Sequence, residues 1–196
     1  MISLKHKFIF IHIPKCGGTT LETSLVDDSC IFRYNTWPHN FKLRYPLNHF
    51  TLDDIEESKV LYPNFDQFYS FTFVRNPFDR LVSEYFYLKN AFKLGDDIKK
   101  GLIYLAERSK NGVKGNHCVS QYKFINNKIN FIGKLENFQQ DFDIICDKIG
   151  IPRQQLPHKN KTNHKHYTEY YDDETREIVT KKYAKDIEHF GYKFGD

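Results

Sequence analysis

The sequence predicts an α/β domain with a mainly parallel central sheet flanked by helices, and three observations carry that expectation. An apolar run at residues 8–13 turns through two glycines into a helix. A second run at residues 69–74 passes directly into a capped helix, and a third at residues 129–135 precedes a helix at residues 138–149. Strands alternating with helices pair in parallel, and such sheets place their ligands beyond the C-terminal ends of the strands. The length of 196 residues suits one domain spanning 1–196, and 40% hydrophobic with 16% aromatic residues excludes a disordered chain. No internal repeat or low-complexity tract competes.

The first element is the run Phe8, Ile9, Phe10, Ile11 and Ile13, which reads as a buried strand ended by Pro14, since proline cannot donate to a central ladder. Gly17 and Gly18 then permit a tight turn, and Thr19, Thr20, Leu21, Leu25 and Val26 continue as a helix that starts at the glycines. Free N–H groups and the positive end of a helix dipole favour a phosphate there, with Lys15 and the two threonines adding a charge and hydroxyls. The string is not GxxxxGK[ST], because Lys15 precedes the glycines instead of following them. The competing role for the glycines is simply to pack a helix closely on a sheet. Cys16 lies within the same loop, where a small buried thiol is the common case.

Residues 27–68 are loop-rich, with Trp37, Pro38, Pro46 and Pro63 as punctuation and a short acidic helix start at TLDDIEES capped by Thr51. Tyr69 to Val74 is the second strand. It runs into Arg75, with Asn76 suited to the N-cap and Pro77 to the first helical position. Helical periodicity puts Phe78, Leu81, Val82, Tyr85 and Leu88 on one face and Asn76, Asp79, Arg80 and Ser83 on the other. Arg75 can also serve structurally, by pairing with Asp79 or Glu84 to hold the helix start.

Leu102, Ile103, Leu105 and Ala106 predict a helix within residues 91–116, followed by a turn containing Asn111, Gly112, Gly115 and Asn116. INFIGKL at 129–135 predicts a short strand. Phe138, Phe142, Ile145 and Ile149 sit at helical spacing before Gly150 and Pro152 stop the helix. A polar loop carrying His158, Lys159, Lys161, His164 and Lys165 follows. Asp172, Asp173 and Glu174 then open one final helix with the apolar stripe Val179, Tyr183, Ile187 and Phe190, ending at Gly191.

PKCGGTT at 14–20 resembles the 5′-phosphosulfate loop of sulfotransferases that use 3′-phosphoadenosine 5′-phosphosulfate (PAPS), and VRNPFDRLVSEY at 74–85 resembles their 3′-phosphate motif. The C-terminal third, from LPHKNKTNHKHY onward, is similar to the end of Golgi-type carbohydrate sulfotransferases and their small bacterial relatives. The resemblance implies a P-loop-like sulfotransferase fold and transfer of a sulfuryl group to an acceptor hydroxyl, on a carbohydrate, without a metal. It implies that Lys15 is catalytic, that Lys15, Cys16, Gly17, Gly18, Thr19 and Thr20 hold the 5′-phosphosulfate, and that Arg75 and Ser83 hold the 3′-phosphate. The basic loop, through Lys161 and Asn163, is implied to close over the nucleotide. A histidine base is implied between the two motifs, where His49 fits best, with His39, His117 and Glu22 as alternatives. The Golgi members carry an N-terminal membrane anchor that this sequence does not show.

A formal charge of +4 and pI near 8.7 fit a site for an anionic nucleotide but fall short of the footprint of a nucleic-acid binder. Four scattered cysteines show neither zinc nor disulfide spacing, so a cytoplasmic protein with reduced thiols is expected, with no targeting segment and no membrane span. Two other function classes stay open. One is a P-loop kinase using ATP and magnesium, which usually needs the missing GK[ST] string, and the other is a noncatalytic nucleotide-binding module.

Overall fold

A computed structural model describes residues 1–31, 51–53, 67–108, 117–157 and 165–196. The chain forms two compact units of two segments each: Met1–Val74 with Lys123–Lys159, and Arg75–Tyr122 with Asn160–Asp196.

The first unit holds a five-stranded sheet of strands β1 (Ile2–Ser3), β2 (Phe8–Ile11), β3 (Cys30–Ile31), β4 (Tyr69–Val74) and β5 (Phe131–Lys134), in the order β3-β1-β2-β4-β5. β2 pairs in parallel with β4, from Phe8 opposite Tyr69 to Ile11 opposite Thr72, and β4 in parallel with β5. These three strands are the ones expected. The sheet is nevertheless mixed, because β1 pairs antiparallel with both β2 and β3. Strands of two residues are too short to carry a periodic signal, which is why neither was foreseen. β2 also stops at Ile11, short of Ile13. Every residue of β2 and all of β4 after Tyr69 are buried, as in a sheet covered on both faces. Helix α1 (Gly18–Leu25) follows β2.

Within the same unit, the helix Phe138–Ile149 starts and ends where its spacing placed it, and Gly150 at φ 70° supplies the left-handed C-cap. It packs on the sheet through an edge-to-face contact of Phe138 with Phe73, 5.1 Å between centroids.

The second unit is helical among the described residues. Helices α2 (Pro77–Leu88), α3 (Ile98–Arg108), α5 (Asp173–Lys182) and α6 (Ala184–Phe190) take the remaining labels, Phe138–Ile149 being α4. Its core combines Phe78, Leu81, Val82, Tyr85 and Leu88 of α2 with Leu102 and Leu105 of α3 and Val179 and Tyr183 from the C-terminal segment. The single final helix expected is two helices broken at Tyr183, whose backbone leaves the helical region at φ −107°, ψ 23°. The fully buried Tyr183 donates its hydroxyl to the Cys118 carbonyl at 3.0 Å. Asp172 caps α5 in a reciprocal box with Thr175. Only 51–53 of the acidic helix start are described, with Leu52 and Asp53 helical. Among the described residues no helix is long and apolar enough to cross a membrane.

Candidate functional site

Within the first unit, the candidate element is the loop between β2 and α1. Lys15 takes a left-handed backbone, φ 66°, and so does Gly17, φ 81°, the N-cap residue of α1. A left-handed lysine costs energy that the surroundings must supply, and such residues concentrate at ligand sites. The loop reverses tightly enough for the Thr20 and Leu21 N–H groups to bond the Gly17 carbonyl at 3.0 and 3.2 Å. Both glycines are also packing requirements. A β-carbon at Gly17 would lie 2.7 Å from Phe138 Cζ and 2.9 Å from Leu135 Cδ1, and one at Gly18 would collide with the His12 ring. The packing role that competes with an anion cradle is therefore met at both glycines.

His12, at the end of the first apolar run, packs against and orients this loop. It is buried, its ring stacks near Phe10 at 5.8 Å, and its Nδ1 pairs with Glu22 Oε1 at 2.8 Å. Glu22 is itself buried on α1, so the pair ties the strand end to the helix that the glycines open. That places Glu22, an alternative base, in a fixed pair. The Cys16 thiol is buried and donates to the Pro14 carbonyl at 3.6 Å.

Within the second unit, the candidate element is the start of α2. Asn76 caps the helix by accepting from the Phe78 N–H at 3.1 Å, and its amide nitrogen donates to the Lys193 carbonyl at 2.9 Å. The Arg75 guanidinium bonds Asp79 through Nε and Nη2, both at 2.8 Å. This is the pairing foreseen as the structural alternative for Arg75, and it holds the guanidinium in one orientation. The polar face of α2 is not solvated. Arg80, Ser83 and Glu84 are as buried as its apolar face. Arg80 donates through Nη1 to the Val119 carbonyl at 2.9 Å and through Nη2 to the His117 carbonyl at 2.7 Å, while His117 Nδ1 pairs with Glu84 at 3.0 Å and its ring stacks on Tyr87. Periodicity finds a face of a helix but not what covers it.

Buried hydroxyls separate into two groups. Ser3, Ser70, Thr72 and Thr175 have hydrogen-bond partners, Thr72 for example donating to the Ile11 carbonyl at 2.7 Å. Among the described residues the Thr20, Ser83 and Ser120 hydroxyls have none, and Thr20 and Ser83 are only 4% and 5% exposed. An unsatisfied buried hydroxyl is uncommon. Thr19, by contrast, is exposed. Cys118 is buried, and that burial pushes its thiol up to about 12, which leaves no thiolate for chemistry near neutral pH. His39, His49, Lys161 and Asn163 lie outside the described residues. No cluster of three or more His, Cys, Asp or Glu among the described residues is arranged to hold a metal.

Compared with known proteins, residues 1–193 match the Sulfotransferase family. The chain belongs to the sulfotransferase family. Sulfuryl transfer is the general chemistry of that family, and the match runs through both motifs and the C-terminal helices. An uncharacterized protein of Archaeoglobus fulgidus is 33% identical to this sulfotransferase over 95 residues, 46% of this chain and 74% of that one. No solved structure matches the chain.

Proposed function

We propose that this sulfotransferase moves a sulfuryl group from PAPS to a hydroxyl of a carbohydrate acceptor and releases 3′,5′-ADP. The observation that carries the reading is the pair of buried, unsatisfied hydroxyls, Thr20 and Ser83, at positions that the two motifs give to the 5′- and 3′-phosphates. A phosphate oxygen accepts from a hydroxyl, so each would gain the partner it lacks. In-line transfer needs alignment and stabilisation of charge on the leaving oxygen. Lys15 neutralises the bridging oxygen as the nucleotide departs. The backbone of Cys16, Gly17 and Gly18, with Thr19 and Thr20, cradles the 5′-phosphate. Arg75 and Ser83 hold the 3′-phosphate, and Lys161 and Asn163 close over the nucleotide. A lysine and N–H groups supply this stabilisation without a metal ion.

The acceptor hydroxyl loses its proton as it attacks sulfur, and a neutral imidazole suits that task near neutral pH. His49 takes this role from its place between the two motifs. One observation favours His117 as the second reading. Its Nδ1 lies 3.0 Å from the buried Glu84 carboxylate, which orients the ring. Incubation with PAPS labelled in the sulfuryl group and a panel of glycans, lipids and phenols tests the proposal. Label on a glycan supports it, label on a lipid or phenol corrects the acceptor, and phosphate transfer from ATP with no sulfuryl transfer overturns it.

A further inference from the structure

We infer that Gln121 is the positioning residue for Arg75, and through it for recognition of the 3′-phosphate; the inference rests on the reading of Arg75 given above. Arg75 follows β4 and precedes the N-cap of α2, so neither a strand nor a helix fixes its backbone. The Gln121 side chain does so instead. Its Oε1 accepts from the Arg75 N–H at 2.9 Å and its Nε2 donates to the Arg75 carbonyl at 2.9 Å. One amide thus clasps both backbone polar groups of the arginine, as a neighbouring strand would.

Gln121 is in turn held from behind. It is fully buried, and the equally buried Asp186 of α6 accepts from the Gln121 N–H at 2.7 Å through Oδ2 and from the Tyr122 N–H at 3.0 Å through Oδ1. Arg80 fixes the residues just before it by its bonds to Val119 and His117. The relay therefore runs from Asp186 to the Gln121 backbone, from the Gln121 amide to the Arg75 backbone, and on to a guanidinium whose far end Asp79 orients. A buried glutamine and carboxylate cost stability compared with apolar residues of similar size, and a fully satisfied polar network is retained where it specifies one geometry. Binding groups need placement within about 0.5 Å, which comes from residues behind the contact.

The test is the ratio of the dissociation constants of 5′-AMP and 3′,5′-ADP, measured by calorimetry on the full chain. Partial unfolding weakens both nucleotides by the same factor, so the ratio reports selectivity and not stability. A charge-assisted contact to the 3′-phosphate gives a wild-type ratio of roughly 10 to 100, and Arg75→Ala brings it near one. Gln121→Met keeps side-chain length without donor or acceptor, and is expected to lower the ratio about tenfold, as loss of an outer-shell partner does. If Gln121→Met does not fold, Asp186→Asn decides the matter, since it leaves Gln121 in place but disturbs its anchor, and the ratio should fall in the same direction. A high wild-type ratio that collapses in Arg75→Ala but persists in the variant overturns the inference alone. A wild-type ratio near one overturns both the inference and the reading of Arg75 beneath it.

Discussion

Replacing Ser83 by alanine should make the free protein more stable and the nucleotide complex weaker. Ser83 is 5% exposed and its hydroxyl has no partner among the described residues, so in the free protein it carries the penalty of an unsatisfied buried group, about 1 to 3 kcal/mol. Position 83 is also inside α2, where alanine is favoured over serine by up to about 0.7 kcal/mol. Against these stands the small loss of packing from one deleted oxygen, leaving a net gain of about 1 to 2 kcal/mol. For a chain of this size that raises Tm by roughly 2 to 8 °C. In the complex the same hydroxyl donates to a charged phosphate, a bond worth about 1.5 to 3 kcal/mol, so 3′,5′-ADP should bind roughly 10- to 100-fold more weakly. Urea or thermal melts without ligand and calorimetry with 3′,5′-ADP measure the two effects on one sample. A destabilised free variant would mean that the hydroxyl has a protein partner. Unchanged 3′,5′-ADP affinity would remove Ser83 from the site.

Three further outcomes are expected. Lys15→Ala should lower turnover at least tenfold, about 1.4 kcal/mol of barrier, while circular dichroism shows a folded protein; near-normal turnover removes Lys15 from the mechanism. His49→Ala should keep 3′,5′-ADP affinity and lose at least ~100-fold in turnover, whereas an active His49→Ala beside an inactive His117→Ala would move the base to His117. Burial raises the Asp186 carboxyl above its ordinary value, outweighing its hydrogen bonds from Tyr122 and Gln121, so its ionisation opposes folding. Its contribution is fully present below the unfolded pKa and is lost as pH rises through the raised folded pKa. Urea melts at pH 4 and pH 7 should therefore show Asp186→Asn gaining stability relative to wild type as pH rises; a constant or falling difference contradicts this.

The elements legible in the sequence were those with local causes. β4 and the helix Phe138–Ile149 appeared with the bounds that periodicity and Gly150 gave them, and Asn76 and Pro77 started α2 as capping chemistry requires. β1 and β3 escaped notice because two residues have no period, and the break at Tyr183 because an apolar stripe continues through it. The glycine loop and Arg75 were visible as motifs, but their supports were not. Gln121 lies 46 positions from Arg75 and Asp186 65 positions from Gln121, and nothing local marks a buried glutamine as a clasp. The same holds for His12 and Glu22, whose pairing depends on the turn through Gly18, and for the buried polar face of α2, which periodicity reads as a surface.

Ligand-induced thermal stabilisation tests the assignment of the nucleotide most directly, because a ligand that binds only the native state raises its stability by about 2.7 kcal/mol at a hundred times its dissociation constant. For this chain length that is a rise in Tm of roughly 5 to 10 °C. A sulfotransferase using PAPS should show that rise with 3′,5′-ADP and a much smaller one with equimolar ADP and magnesium. A larger rise with ADP and magnesium would contradict the account and return the chain to the ATP-dependent class.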